Sequence, residues 1–127
     1  KVREIIQVLE LHVELVMRRV YGVVFFGGVL SDEAKADVRK DLAKGIRAFN
    51  HLATFDPFVA GSEFTLADCA AAIHFPLMTF AGRLALGEDV FTEIPKLSAY
   101  MEMIAQRPAI ARVFADRDQA MAAFAKR

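Results

Sequence analysis

The chain has 127 residues, enough for one domain with a core of its own. At 55 % hydrophobic and 25 % charged residues it is too apolar for a disordered chain. Sixteen Lys and Arg cancel sixteen Asp and Glu, and with no basic block there is no electrostatic footprint for nucleic acid or an anionic membrane surface.

Residues 2–26 form the first expected helix. Arg3, Gln7, Glu10, Glu14 and Arg18 recur at steps of three and four and line one polar face. Most of the remaining circumference is apolar (Ile5, Ile6, Leu9, Val13, Val16, Val20), so contact on more than one side is expected. Gly22 weakens the last turns and Gly27-Gly28 ends the helix. Ser31 then caps a second helix whose first turn carries Asp32 and Glu33 against the positive end of its dipole. Val38, Leu42, Ile46, Phe49 and Leu52 keep helical period to about residue 54. The two helices should pair antiparallel, and Asp56-Pro57 closes the segment.

The third segment follows a turn at Gly61 and opens Phe64-Thr65-Leu66-Ala67-Asp68-Cys69. Thr65 can cap the amide of Asp68 while the Asp68 carboxylate reaches back to the amide of Thr65, a capping box with Asp in the third helical position. Phe64 and Cys69 can form the flanking hydrophobic staple, which predicts a buried Cys69. Ala70, Ala71, Ala72 and Ile73 make the next turns small and apolar, as suits a central helix, and Pro76 is expected to kink or end it. Pro95 opens a short helix with Leu97, Tyr100, Met101 and Ile104; Arg107-Pro108 breaks it, and another turn or two runs through Val113. Asp116 and Gln119 repeat the box pattern before a last helix over 117–125. No run alternates with period two. The expected fold is an all-α bundle of about six helices forming one domain over 1–127.

Cys69 is the only cysteine. No intrachain disulfide can form, and no Cys/His cluster suggests a metal site. Together with the absence of a secretory signal this points to a reducing, cytoplasmic setting. Arg18 and Arg19 interrupt the longest apolar region, so no run is expected to approach the roughly 20 residues of a membrane span. The chain opens at Lys1 already inside a helical pattern, which reads as part of something longer.

The string Phe58-Val59-Ala60-Gly61 followed by Phe64-Thr65-Leu66-Ala67-Asp68 resembles the segment of glutathione transferases in which a Ser/Thr-x-x-Asp box starts a buried helix. Ile94-Pro95-Lys96-Leu97 and Arg107-Pro108-Ala109-Ile110 are similar to later stretches of that family, in the same order. Glu10 to Leu15, Arg18-Arg19 and Phe25 to Gly28 resemble the first helix of the C-terminal domain in bacterial members. The resemblance spans essentially the whole chain. It implies a helical C-terminal domain that builds the pocket for a hydrophobic electrophile and part of a homodimer interface, in an enzyme of detoxification. Glutathione as co-substrate, and the catalytic Tyr, Ser or Cys, would belong to a thioredoxin-like N-terminal domain of about 80 residues that this sequence does not contain. No residue of this chain is assigned a catalytic role, and the chain alone is expected to be inactive.

Thr65 and Asp68 are read as structural capping residues rather than as a catalytic pair. His12 and Arg19 stand two turns apart, off the polar stripe of the first helix. Polar groups on a mostly apolar face need partners: the rim of the core, an interdomain cleft or a second subunit. With Arg18 they form the candidate substrate-binding set, in which an Arg could pair with a glutathione carboxylate; Arg18 with Glu14 also has the order of a surface ion pair. Cys69 reads as a small core residue, and His51 and His74 carry no recognisable motif. A non-enzymatic interaction module built on the same domain is the alternative. An unrelated effector domain of a transcription regulator would leave the Phe64–Asp68 box unexplained.

Overall fold

A computed structural model describes all residues, 1–127, and its regular elements are all helices. The order is α1 (Val2–Val8), a π-helical segment (Leu9–Glu14), α2 (Leu15–Phe26), α3 (Asp32–Leu52), α4 (Leu66–Leu86), α5 (Leu97–Ile104) and α6 (Pro108–Ala125). The only bridge of extended type is an isolated one between Phe58 and Gly61. Residues 1–95 and 96–127 make two compact units.

In the first unit α1, the π segment and α2 follow one another without a break. Ile5, Leu9, Val13 and Met17 are all buried, at steps of four residues. In a plain α-helix each such step overshoots the turn by about 40°. The wider π turn, closed by i→i+5 bonds, lets these side chains stay on one face. The same change of register carries Glu14 inward. The sequence places it on the polar stripe, whereas its residue is 6 % exposed. Gly27 ends α2 in the left-handed conformation (φ 68°), and the amide of Gly28 donates to the carbonyl of Gly22 at 3.0 Å.

α3 is capped by Ser31, whose Oγ accepts from the amide of Ala34 at 3.1 Å. It runs antiparallel to the first helix, with His12 beside Gly45 and Arg19 beside Asp41. The approach at Gly45 is close: a Cβ there would collide with the backbone carbonyl of His12. α4 packs against both α1 and α2. Phe49, Phe75 and Phe91 meet edge to face, with centroids 5.4 Å and 5.0 Å apart, and close the core.

Several expectations change here. Pro76 lies inside α4 and does not end it. It forfeits one hydrogen bond, a loss of about 3 kcal/mol, while buried Ala71, Ala72, Phe75, Met78, Ala81 and Leu86 hold the helix on both sides of it. α4 is also long and apolar enough, by length and composition, to cross a bilayer, with mean hydropathy 1.4. That corrects the expectation that no run approaches such a span. In the fold α4 instead buries part of its surface against α1, the π segment and α2. Cys69 is exposed rather than buried. Phe64 turns to Phe58 instead, with ring centroids 5.8 Å apart.

In the second unit, Leu97, Tyr100 and Ile104 of α5 and Ile110 of α6 are buried. Pro108 occupies the first turn of α6, where its missing N–H costs nothing and its fixed φ suits a helix start. The break expected between Val113 and Arg117 does not occur. Alanine recurs through 109–125, and its helix propensity overrides the Asp116/Gln119 pattern. Five separate helical rods result, against about six expected from the turn signals.

Candidate functional site

The turn into α4 looks most like a site in sequence, and its geometry is closed. Thr65 Oγ1 accepts from the amide of Ala67 at 3.2 Å, and the reciprocal box between Thr65 and Asp68 is formed. Asp68 Oδ2 accepts from the amide of Thr65 at 2.8 Å, and Oδ1 from the amide of Val59 at 3.0 Å. The carboxylate is 0 % exposed. It joins the 58–61 turn to the helix start and has no free face for a ligand.

The first helix carries grooves on two sides. One, of about 430 Å³, lies against α3 and includes Leu11, His12, Val16, Arg19, Asp41 and Lys44. His12 and Arg19 therefore share a groove, opened where Gly45 lets the helices close together. Arg19 is already engaged: its Nη1 donates to Asp41 Oδ2 at 2.9 Å, and Lys44 Nζ stands 3.9 Å from the same carboxylate. His12 is exposed and makes no hydrogen bond of its own.

Arg18 points to the other side. There the π segment and α4 border a groove of about 310 Å³ lined by Glu10, Leu11, Glu14, Leu15, Arg18 and His74. Glu14 takes Arg18 Nε between its two oxygens, at 2.8 Å and 3.0 Å. This hydrogen bond and the charge of Glu14 raise the Arg18 pKa further above its ordinary value. Arg18 Nη1 and Nη2 have no partner, and the side chain is 62 % exposed. At the far end, His74 Nε2 is 3.3 Å from Glu10 Oε1. Leu11 and Leu15, half exposed, provide the apolar surface between. Beyond Arg18, the Tyr21 hydroxyl is buried without a hydrogen-bond partner. Burial, and secondarily the negative charge of Glu14, push it up to about 12, against an opposing pull from Arg18.

The structure thus groups His12 with Arg19 and separates both from Arg18. Sequence reasoning missed His74, and missed Glu14 as the buried partner of Arg18. The four-residue steps of Ile5, Leu9, Val13 and Met17 were the available signal for the altered register. A third groove, about 460 Å³, lies between α3 and residues 88–93. Its polar groups hold that loop: Arg39 Nε donates to Glu88 Oε1 (2.8 Å) and Arg39 Nη2 to the Leu86 carbonyl (3.1 Å), and Asn50 Nδ2 donates to the Glu93 carbonyl (2.7 Å).

This arrangement of helices, with a buried Asp locking the start of the central one, can be set beside known proteins. Residues 32–102 match the family described as "Glutathione S-transferase, C-terminal domain". The chain belongs to that family. The match takes in α3, the capped start and whole length of α4, and most of α5. A glutathione S-transferase from Pseudomonas putida is 33 % identical over 124 residues, which covers 98 % of this chain and 56 % of the relative. The chain thus spans about half the length of the glutathione S-transferase it matches. The α1–α2 helix lies outside the family match but inside the similarity to that relative, so both grooves of this glutathione S-transferase domain fall within the aligned region.

Proposed function

We propose that this chain is the helical half of an enzyme that conjugates glutathione to hydrophobic electrophiles. The groove between the π segment and α4 contributes to the electrophile pocket. Its support is the family membership together with apolar walls, Leu11 and Leu15, placed beside polar groups that fix orientation. Glutathione itself and the group that activates its thiol belong to a thioredoxin-like domain accounting for the length of the relative that this chain does not cover. The groove against α3, with His12 and Arg19, faces a second subunit in a homodimer. The setting is cytoplasmic and the role detoxification.

The chemistry asked of these residues is limited. They hold an apolar substrate away from water and orient its reacting carbon toward a thiolate supplied from elsewhere; none of them donates or removes a proton in the reaction. The decisive experiment is glutathione conjugation by the full-length protein with standard electrophiles, beside isothermal titration of glutathione into the 127-residue chain. Turnover by the former and no measurable binding by the latter are expected. No turnover with any electrophile would favour an assembly module, and tight glutathione binding by the chain alone would overturn the division of labour.

A further inference from the structure

Arg18 and Arg19 are neighbours in sequence and differ in what they have left to offer. Arg19 spends a terminal guanidinium nitrogen on Asp41. Arg18 is held by its Nε alone, on a carboxylate whose own side chain is only 7 % exposed. Both of its terminal nitrogens therefore remain as donors, directed by a buried anchor, at the edge of a groove with apolar walls. A guanidinium fixed in this way matches the two oxygens of a carboxylate and gives up little side-chain entropy on binding.

The groove holds two carboxylates, Glu10 and Glu14, against Arg18, and His74 adds a positive charge only when protonated. A ligand carboxylate is therefore drawn by the two free guanidinium nitrogens of Arg18 and not by a net positive groove. Glu14 is offset by Arg18 itself, and Glu10 stands beside His74. Glu10 and Arg18 are eight residues apart, about 12 Å along a helical axis. Glu10 still acts on Arg18, as the weakest of the charges that raise its pKa, so a carboxylate bound at Arg18 meets a modest repulsion from it. The apolar surface of Leu11 and Leu15 between them suits a ring or short hydrocarbon and offers nothing to a polar tripeptide backbone.

We infer that Arg18, positioned by Glu14, makes this groove selective for electrophiles that carry a carboxylate on an apolar body. The inference rests on the proposed reading of the groove as part of the electrophile pocket. The carboxylate takes no part in bond making. For an aryl chloride, the glutathione sulfur forms the C–S bond, the C–Cl bond breaks, chloride leaves with its electron pair, and the thiol proton passes to solvent.

The test compares 1-chloro-2,4-dinitrobenzene with 4-chloro-3-nitrobenzoate, using the full-length protein. The readout is the ratio of kcat/KM for the acidic over the neutral electrophile. Arg18→Gln should lower this ratio about tenfold, through KM of the acidic substrate. Arg18→Lys should not restore it, because an ammonium lacks the fork. Glu14→Gln, with Arg18 intact but unanchored, should lower the ratio by about threefold, an effect that general loss of structure would not produce because both substrates would then suffer alike. An unchanged ratio in Arg18→Gln overturns the inference while leaving the proposed function standing. A higher KM for glutathione with both electrophiles also overturns it, by placing Arg18 on glutathione. Conversion of neither electrophile by the wild type removes the proposed function and the inference with it.

Discussion

At the scale of single residues, Asp68 and Tyr21 show opposite ways of burying a polar group. Asp68 is fully buried and satisfied by the amides of Val59 and Thr65. Replacing it with alanine strands a buried N–H of Val59 and loses two charge-assisted bonds, so Asp68→Ala should cost about 3 kcal/mol. Thr65→Ala removes the hydroxyl's side of the capping box, including its bond from the Ala67 amide, and should cost about 1 kcal/mol. Urea denaturation separates the two, and equal stability of wild type and both variants would end the anchoring role. Tyr21 buries a hydroxyl that finds no partner. Tyr21→Phe should therefore raise stability by about 1 kcal/mol at neutral pH. Its folded pKa, up at about 12 from an ordinary 10, means the folded state keeps the proton that the unfolded state releases first. That contribution is complete below pH 10 and is lost as pH rises toward 12. The gap between Tyr21→Phe and wild type should widen over that window, and parallel denaturation midpoints from pH 9 to 12 would exclude it.

At the scale of elements, the approach of the first helix to α3 depends on one missing side chain. Alanine at position 45 would gain about 1 kcal/mol in helix propensity. It would also drive a Cβ into the His12 carbonyl, with the carbonyl carbon only 2.7 Å away. Backbone cannot rotate aside as a side chain can, so overpacking of up to about 3 kcal/mol wins, and Gly45→Ala should be net destabilising by about 2 kcal/mol. A denaturation midpoint at or above wild type would mean the helices slide apart freely. What was legible in sequence divides along the same line. Local chemistry announced the Ser31 cap, the Gly27 stop and the order of helices, because each depends on a few adjacent residues. The π turn, the uninterrupted α4 and the inward Glu14 depend on packing partners far along the chain, and a local reading of Pro76 or of the polar stripe cannot weigh those. The candidate site was only half legible for the same reason. His12, Arg18 and Arg19 were identifiable as polar residues on a mostly apolar helix, but their division between two grooves follows from the π register, and His74 reaches Glu10 only because α4 packs beside the first helix.

For the whole molecule the relevant feature is what α4 leaves uncovered. Leu66, Ile73, Phe80 and Leu84 are between 46 % and 70 % exposed. At 100° per residue they fall within about 40° of one line, a stripe roughly 27 Å long. Scattered exposed apolar residues need no explanation, whereas four aligned on one long apolar helix mark a surface that another structure normally covers. In the proposed enzyme that structure is the glutathione-binding half, since this chain covers only 56 % of its relative's length. Taken alone, the chain has no such cover. It should then self-associate through this stripe, since burying apolar area gains about 25 cal/mol per Å² and the zero formal net charge supplies no long-range repulsion between copies. Light scattering of the 127-residue chain should show mass rising with concentration. Ile73→Glu with Phe80→Glu should return a monomer of unchanged helical content by circular dichroism, because both side chains face outward. A wild-type chain monomeric at high concentration would show that the stripe is tolerated in water. Association that persists in the double variant would move the contact to another face, such as the His12–Arg19 side of the first helix.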